Sequence, residues 1–260
     1  QRIEGLDLGA NRDLAELYDW LVRPVESLLP LPAATDDLEA HHLVIVPSGP
    51  LYYLPFQSLL WTSTDRSQSA RLVEQYAVSY APSLVSLKYT QHQTSESEAA
   101  SCFLGLADPS TATPRLPEAQ TEVREVADAF TCSEVYVGAE ATEEIVRLRS
   151  EQATFLLLST HGMFNTTNPV FSYLVLDQTQ EEDGKLCTYE VSSLPLAQTD
   201  LVVLSACETL LPGLEDMRCQ IRATRGSAAD EPITLSEQQL SDLTRGDELV
   251  GLTRAFLAAG

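Results

Sequence analysis

The chain has 260 residues, a formal net charge of −22 and a hydrophobic content of 44%, enough for one large domain or two small ones with an ordinary core. The acidic balance argues against nucleic-acid binding, because phosphate recognition needs a basic surface. No apolar run approaches the roughly 18 residues of a membrane helix, and the first residues lack a signal-peptide pattern.

The first ninety residues predict a helical segment followed by a small strand–turn–strand subdomain. Apolar residues recur at helical spacing over 11–29, where Pro24 bends or divides the element. A strand at 43–47 and a second extended piece at 51–56 flank a Ser-Gly-Pro turn, and residues 72–80 predict another strand. The helical segment could also be the last helix of an upstream domain.

An alternation of strands and helices follows the polar, serine-rich link 91–100, which we expect to separate two parts of the chain. Such an alternation favours a parallel sheet with right-handed crossovers. The predicted strands are 103–107, 135–137 and 154–159, and the predicted helices are 118–130 and 142–150.

The last hundred residues are less regular. Residues 172–176 and 185–190 predict a hairpin with an acidic tip. The segment 210–245 lacks a clear pattern and predicts an exposed functional or disordered loop. An amphipathic helix is predicted over 249–259, where the chain stops, and we expect both ends to continue in a longer protein.

Two short apolar runs each lead to a reactive side chain. One run, 153–159, leads to His161, and the other, 201–204, leads to Cys207. Continuous apolar runs are typical of buried parallel strands, and functional groups collect beyond the carboxyl ends of such strands. If the two strands are neighbours, His161 and Cys207 emerge at the same edge of the sheet.

An imidazole beside a thiol is the usual arrangement for nucleophilic cysteine catalysis, in which the thiolate attacks and the histidine manages the proton. Gly162, which follows the histidine, would let its backbone N–H approach a substrate carbonyl oxygen. A serine hydrolase of the α/β type is disfavoured, since no Gly-x-Ser-x-Gly sequence occurs.

The remaining cysteines predict no site of their own. The chain contains five cysteines without a CxxC pair, and their odd number and wide spacing favour neither a zinc cluster nor a disulfide framework. We expect Cys102, Cys132 and Cys187 to pack as small hydrophobic residues and Cys219 to be exposed in a polar loop. A reducing cytoplasm is the simplest location for such a chain.

Five segments together resemble the CHAT domain, a group of caspase-like cysteine peptidases related to separases and often carried behind TPR modules in bacteria. They are 46–56, 76–83, 160–164, 201–209 and 246–257. The resemblance covers 38–260. It implies an α/β fold, namely a caspase/hemoglobinase-like three-layer sandwich with a mostly parallel central sheet, preceded by the smaller strand–turn–strand subdomain.

The resemblance also implies site residues. His161 would be the catalytic histidine and Cys207 the nucleophile, the backbone N–H groups of Gly162 and Cys207 would form the oxyanion hole, and no metal or cofactor would be required. We interpret Glu208 as a hydrogen-bonding residue near the cysteine. Asp247 and Glu248 belong to the first turn of a helix, where the helix dipole favours carboxylates. These three acidic residues are candidate substrate-binding residues.

The domain organisation implied is a helical segment or linker at 1–37, an N-terminal subdomain at 38–92 and a catalytic core at 101–260, whose C-terminal part we expect to lie beyond the chain. In caspases the link after the cysteine strand is cleaved on activation. The loop 210–245 is therefore either a flexible insertion or a processing segment, with candidate sites at Arg218, Arg222 and Arg225.

The function implied is a cysteine endopeptidase acting on protein substrates in bacterial signalling or defence. It would be regulated by an external sensor module such as TPR repeats, and it would bind neither nucleic acid nor membrane. The alternative is a latent or inactive caspase-like module that acts as a signalling scaffold through protein–protein interaction.

Overall fold

The computed structural model describes residues 8–29, 41–63, 68–90, 101–163, 165, 168–208 and 247–259. The chain forms two compact units, Gln1–Leu87 and Lys88–Gly260. Within the described ranges, no helix has the length and apolar character needed to cross a lipid bilayer.

The first unit encloses an apolar core of its own, to which α1 contributes Tyr18 and to which Val22, the residue just after α1, also belongs. β1 pairs in parallel with β4, and β2 pairs antiparallel with β3. Pro24 lies in the first turn of a 3-10 helix, Arg23–Leu28, so the predicted division of the helical segment is confirmed. The labelled elements are α1 (Leu8–Leu21), β1 (His42–Ile45), β2 (Leu60–Thr62), β3 (Ser69–Arg71), α2 (Leu72–Gln75), β4 (Ala77–Tyr80) and α3 (Leu84–Thr90), which continues past Leu87.

Two predicted extended pieces in this unit are wrong. Residues Gly49–Tyr53 form a 3-10 helix: Gly49 turns the chain with a positive φ of 55°, and Pro50 fits the first turn of the helix. Residues 72–75 are helical before β4 begins. Leu72 and Tyr76, one helical turn apart, are both buried in the core, and this packing overrides the β-like pattern.

The described residues of the second unit form two four-stranded sheets, in the orders β11-β7-β5-β6 and β10-β9-β8-β12. The strands are β5 (Cys102–Ala107), β6 (Cys132–Val137), β7 (Phe155–Ser159), β8 (His161–Met163), β9 (Tyr173–Val175), β10 (Lys185–Cys187), β11 (Leu201–Leu204) and β12 (Cys207–Glu208). The helices are α4 (Pro117–Ala127), α5 (Glu143–Arg149), α6 (Thr188–Val191) and α7 (Asp247–Ala259).

The first sheet is parallel throughout, as the alternating pattern predicts. Alternate residues of its central strands enter different cores. Phe103 and Leu157 pack with α4, whereas Leu104 and Leu158 belong to a larger cluster that includes residues of α5 and α7. Each fully buried leucine of this kind contributes about 1.5–3 kcal/mol, so the sheet is a rigid base for the loops at its carboxyl edge.

The second sheet continues two strands of the first. The chain passes from β7 into β8 and from β11 into β12, and each pair remains parallel. Leu204 pairs with Leu158 and Cys207 pairs with His161, a separation of 46 positions in both sheets. The register is therefore preserved across the interruption at residues 205 and 206. The predicted hairpin is present as β9 and β10.

The prediction that Cys102 and Cys132 are free thiols is wrong. They are register partners in neighbouring parallel strands, with Cα atoms 4.6 Å apart, and they form a disulfide. Cysteine spacing could not show this, because it does not reveal which strands are neighbours. The disulfide also removes the cysteine argument for a reducing compartment. Cys187 is a free, half-buried thiol, and Cys219 lies outside the described residues.

Candidate functional site

Three strands of the parallel sheet end at one edge and deliver polar residues there. β5 is followed directly by Asp108, β7 leads through Thr160 to His161, and β11 leads to Cys207. Because the carboxyl ends of parallel strands meet at the same edge, these residues lie in one region of the second unit.

His161 and Cys207 are brought together by backbone register. Cys207 is the register partner of His161, and Glu208 is the partner of Gly162. Neighbouring strands lie about 4.8 Å apart, so the two backbones that carry the imidazole and the thiol are adjacent. The side chains of Cys207 and Glu208 lie outside the described part of the chain.

The imidazole of His161 is buried, with 5% of the residue exposed. Its Nε2 atom lies 2.6 Å from the carbonyl oxygen of Pro114. A carbonyl oxygen can only accept, so the network assigns the proton to Nε2 in the neutral ring and leaves Nδ1 as an acceptor. Nδ1 is buried and has no hydrogen-bond partner among the described atoms. The Nε2 hydrogen bond therefore orients the ring, and Nδ1 is left as a buried acceptor.

The segment before His161 is held by side-chain hydrogen bonds. Ser159 donates from its hydroxyl to the carboxylate of Glu122 on α4, and Thr160 donates to the carbonyl oxygen of Val175 at 2.6 Å. Both donors are buried. These bonds attach the transition from β7 to β8 to a helix on one side and to β9 on the other, which fixes the height of the imidazole above the sheet edge.

The carbonyl of Pro114 belongs to a loop, residues 108–116, that is anchored by buried carboxylates. Asp108 is 1% exposed and has a positive φ of 44°. Its Oδ1 accepts from Arg115 Nε at 2.9 Å and from the Leu116 N–H at 2.7 Å. Its Oδ2 accepts from Arg115 Nη2 and from Gln120 Nε2, both at 2.7 Å. The Arg115 hydrogen bond chiefly holds the pKa of Asp108 well below its usual range.

The other side of this loop is attached to the strand next to β8. Asp177, which follows β9 and is 8% exposed, accepts from the backbone N–H groups of Ser110 and Thr111. The hydroxyl of Thr111 donates to the carbonyl oxygen of Leu176 at 2.9 Å. The loop is thus fixed at its beginning through Asp177 and at its end through Asp108.

For the other predicted site residues, the structure describes the position of some and not of others. Gly162 is buried in a central strand, between its register partners Glu208 and Leu174. Asp247 begins α7, followed by Glu248, and both side chains lie outside the described part of the chain. The loop 210–245, with Arg218, Arg222 and Arg225, also lies outside it.

Two further titratable groups have shifted pKa values and lie away from the imidazole. Glu143, at the start of α5, is 2% exposed and accepts from the Lys185 N–H at 2.8 Å. Burial is the main reason that its pKa is raised, with Glu190 and Glu182 adding repulsion. Burial likewise raises the pKa of the Cys187 thiol, with Glu190 the next contributor. A thiol of this kind is a poor nucleophile at neutral pH.

No role was predicted for Pro114 or Asp108, which lie between the predicted strand 103–107 and the predicted helix 118–130. The position of Asp108 carried a signal, because it follows an apolar strand just as His161 and Cys207 do. The role of Pro114 had no such signal, since a backbone carbonyl depends on the path of the chain and not on the residue type.

The comparisons with known proteins agree with the motifs. The chain matches the CHAT domain over residues 11–260. It is 25% identical to tetratricopeptide repeat protein 28 of Mus musculus and of Homo sapiens, over 283 aligned residues that cover 96% of this chain. The alignments cover 11% and 10% of those relatives, so the chain spans about a tenth of their length. The chain belongs to the CHAT domain family.

Proposed function

We propose that the chain is a cysteine endopeptidase in which Cys207 is the nucleophile and His161 transfers the proton. The observation that carries the proposal is the register pairing of Cys207 with His161 at the carboxyl edge of a parallel sheet. Membership of a family related to caspase-like peptidases supports it. On this proposal the second unit is a caspase-like three-layer sandwich.

The chemistry follows from the orientation of the imidazole. The Pro114 carbonyl holds the Nε2 proton, so Nδ1 takes the proton from the Cys207 thiol. The thiolate then attacks a peptide carbonyl carbon, and the Nδ1 proton passes to the departing amine. Water hydrolyses the resulting thioester, with Nδ1 accepting its proton and returning it to the sulfur. No metal or cofactor takes part in these steps.

Backbone N–H groups of Gly162 and Cys207 are proposed to stabilise the negative oxygen of the tetrahedral intermediates. Glu208, Asp247 and Glu248 are proposed to contact the substrate, where carboxylates favour a basic side chain. The net charge of −22 supports a preference for basic substrates.

Regulation would come from outside the second unit. The relatives are tetratricopeptide repeat proteins by name, which supports control by such a module. Cleavage within 210–245, at Arg218, Arg222 or Arg225, is a further proposed step.

A peptide-library assay tests the enzyme directly. The wild-type chain is expected to cleave a subset of peptides, and Cys207→Ala and His161→Ala are each expected to abolish cleavage. Cys187→Ala serves as the matched control, because it removes a half-buried thiol of raised pKa and is expected to keep full activity. Undiminished cleavage by Cys207→Ala would refute the proposal. Mapping fragments of the wild type beside Cys207→Ala shows whether 210–245 is self-processed.

A second candidate is a latent module that acts through protein–protein interaction. The observation behind it is the burial of His161, of which 5% is exposed, because a substrate needs access to the imidazole before the imidazole can act. The same assay separates the two candidates when it is repeated with the full-length protein. Cleavage only by the longer protein identifies latency, and no cleavage by either identifies a scaffold.

A further inference from the structure

The 108–116 loop connects a buried carboxylate to the proposed catalytic histidine through a short covalent path. Asp108 binds Arg115 and Leu116, the two residues that immediately follow Pro114. The carbonyl oxygen of Pro114 accepts from Nε2 of His161. Any change in how Asp108 holds these residues therefore moves the group that orients the imidazole.

The hydrogen bonds of the Asp108 carboxylate hold the end of the loop in place. All four of its hydrogen bonds come from residues 115, 116 and 120, and its own backbone begins the loop with a left-handed turn. Aspartate is among the few residues that adopt this conformation readily. The carboxylate thus joins the end of the loop to its beginning. In this closed loop the carbonyl oxygen of Pro114 faces the imidazole of His161.

We propose that Asp108 is a positioning residue for the proposed peptidase, acting through Arg115 and Leu116 on the Pro114 carbonyl and so on the tautomer and orientation of His161. The inference rests on the proposed function for its catalytic meaning. Its structural content, the dependence of the His161 ring on Asp108, holds whether or not the chain cleaves peptides.

The replacement Asp108→Asn tests this with little change in shape. In the variant, one of the two acceptor oxygens is replaced by an NH₂ group, which cannot accept from the donors that bind that oxygen in the wild type. At least two of the four hydrogen bonds are therefore lost. The loop loosens and the Pro114 carbonyl no longer holds Nε2–H in one place. Because small misplacements of a catalytic group cost up to about a hundredfold in rate, kcat is expected to fall by about ten- to a hundredfold, with KM nearly unchanged.

Arg115→Met is the second variant, for use if Asp108→Asn does not fold. Its side chain is 48% exposed, so its removal leaves the core intact while removing two of the four donors to Asp108. Glu143→Gln is the matched control. It alters a carboxylate that is as deeply buried as Asp108, at 2% exposed, but that contacts Lys185 and not the loop.

Two readouts are compared in all four proteins: kcat and KM for peptide cleavage, and the ring ¹⁵N shifts of His161, assigned among the four histidines with His161→Ala. Wild type and Glu143→Gln are expected to show the Nε2–H tautomer. Asp108→Asn and Arg115→Met are expected to show a mixture and a lower kcat. Wild-type ring shifts in Asp108→Asn and Arg115→Met, or the same changes in Glu143→Gln, would overturn the inference.

The two proposals fail in different ways. If the wild type cleaves no peptide but Asp108→Asn still changes the tautomer of His161, the positioning role stands and the peptidase assignment falls. If the wild type cleaves peptides through Cys207 while the ring shifts ignore Asp108, the peptidase stands and the positioning role falls.

Discussion

At the scale of residues, the site depends on the different hydrogen bonding of the two nitrogens of the His161 imidazole. Nε2 of His161 has a backbone acceptor at 2.6 Å, while Nδ1 is buried without a partner among the described atoms. A buried acceptor without a hydrogen bond costs about 1–3 kcal/mol, a cost that a thiol donor would relieve. The register partner on the adjacent strand is a cysteine.

The Asp108 carboxylate predicts a specific dependence of stability on pH. Arg115 and the other donors lower the pKa of Asp108 in the folded chain, so its contribution to stability is fully present above the unfolded value of about 3.9. It is lost as the pH falls further towards the folded value. Asp108→Asn lacks this contribution and is expected to be about 1–3 kcal/mol less stable at pH 7. In urea unfolding, the difference from wild type should shrink below about pH 4.

Glu143 provides a control, because its pKa is shifted in the opposite direction and its effect on stability has the opposite dependence on pH. Burial raises its pKa in the folded chain, so its contribution is fully present below the unfolded value of about 4.3 and is lost as the pH rises through the folded value. The stability of Glu143→Gln relative to wild type should therefore improve as the pH rises from about 4. Parallel pH profiles for Asp108→Asn and Glu143→Gln would contradict both assignments.

At the scale of elements, the two ends of the parallel sheet have different tasks. The carboxyl ends of β5, β7 and β11 lead to Asp108, His161 and Cys207. The amino ends of β5 and β6 are joined by the disulfide between Cys102 and Cys132. The disulfide is thus at the edge of the sheet opposite the candidate site. There it stabilises the sheet without contacting the proposed catalytic residues.

The disulfide predicts a stability effect without a catalytic one. It closes a loop with a sequence separation of 30 residues, for which removal costs about 2–4 kcal/mol. The double variant Cys102→Ala/Cys132→Ala is expected to unfold at lower denaturant concentration while its kcat stays at the wild-type value. Dithiothreitol should lower the wild-type midpoint and leave that of the double variant unchanged. A wild-type midpoint that ignores the reductant would contradict the prediction.

The elements also show what could be predicted from the sequence. Apolar runs that alternate with helical patterns predicted β5, β6, β7, α4 and α5 with small errors at their ends, because buried parallel strands are continuous apolar runs. The 3-10 helix Gly49–Tyr53 and the helix Leu72–Gln75 were missed. In these short pieces local propensity is weak, and burial against the rest of the core decides the conformation.

At the scale of the whole molecule, the pairing of His161 with Cys207 was predictable because it needs only two neighbouring parallel strands of constant register. The contacts of the 108–116 loop were not, because they join residues 47 and 66 positions apart through backbone groups.

The most direct test of the central claim is the rate at which iodoacetamide modifies Cys207 at pH 7, measured by peptide mass spectrometry in wild type and in His161→Ala. Cys187, whose pKa is raised by burial, is the internal reference in both proteins. We predict that Cys207 reacts at least about tenfold faster than Cys187 in wild type, and that this excess disappears in His161→Ala. Equal rates for the two thiols in wild type, or a Cys207 rate that ignores the loss of His161, would contradict the account.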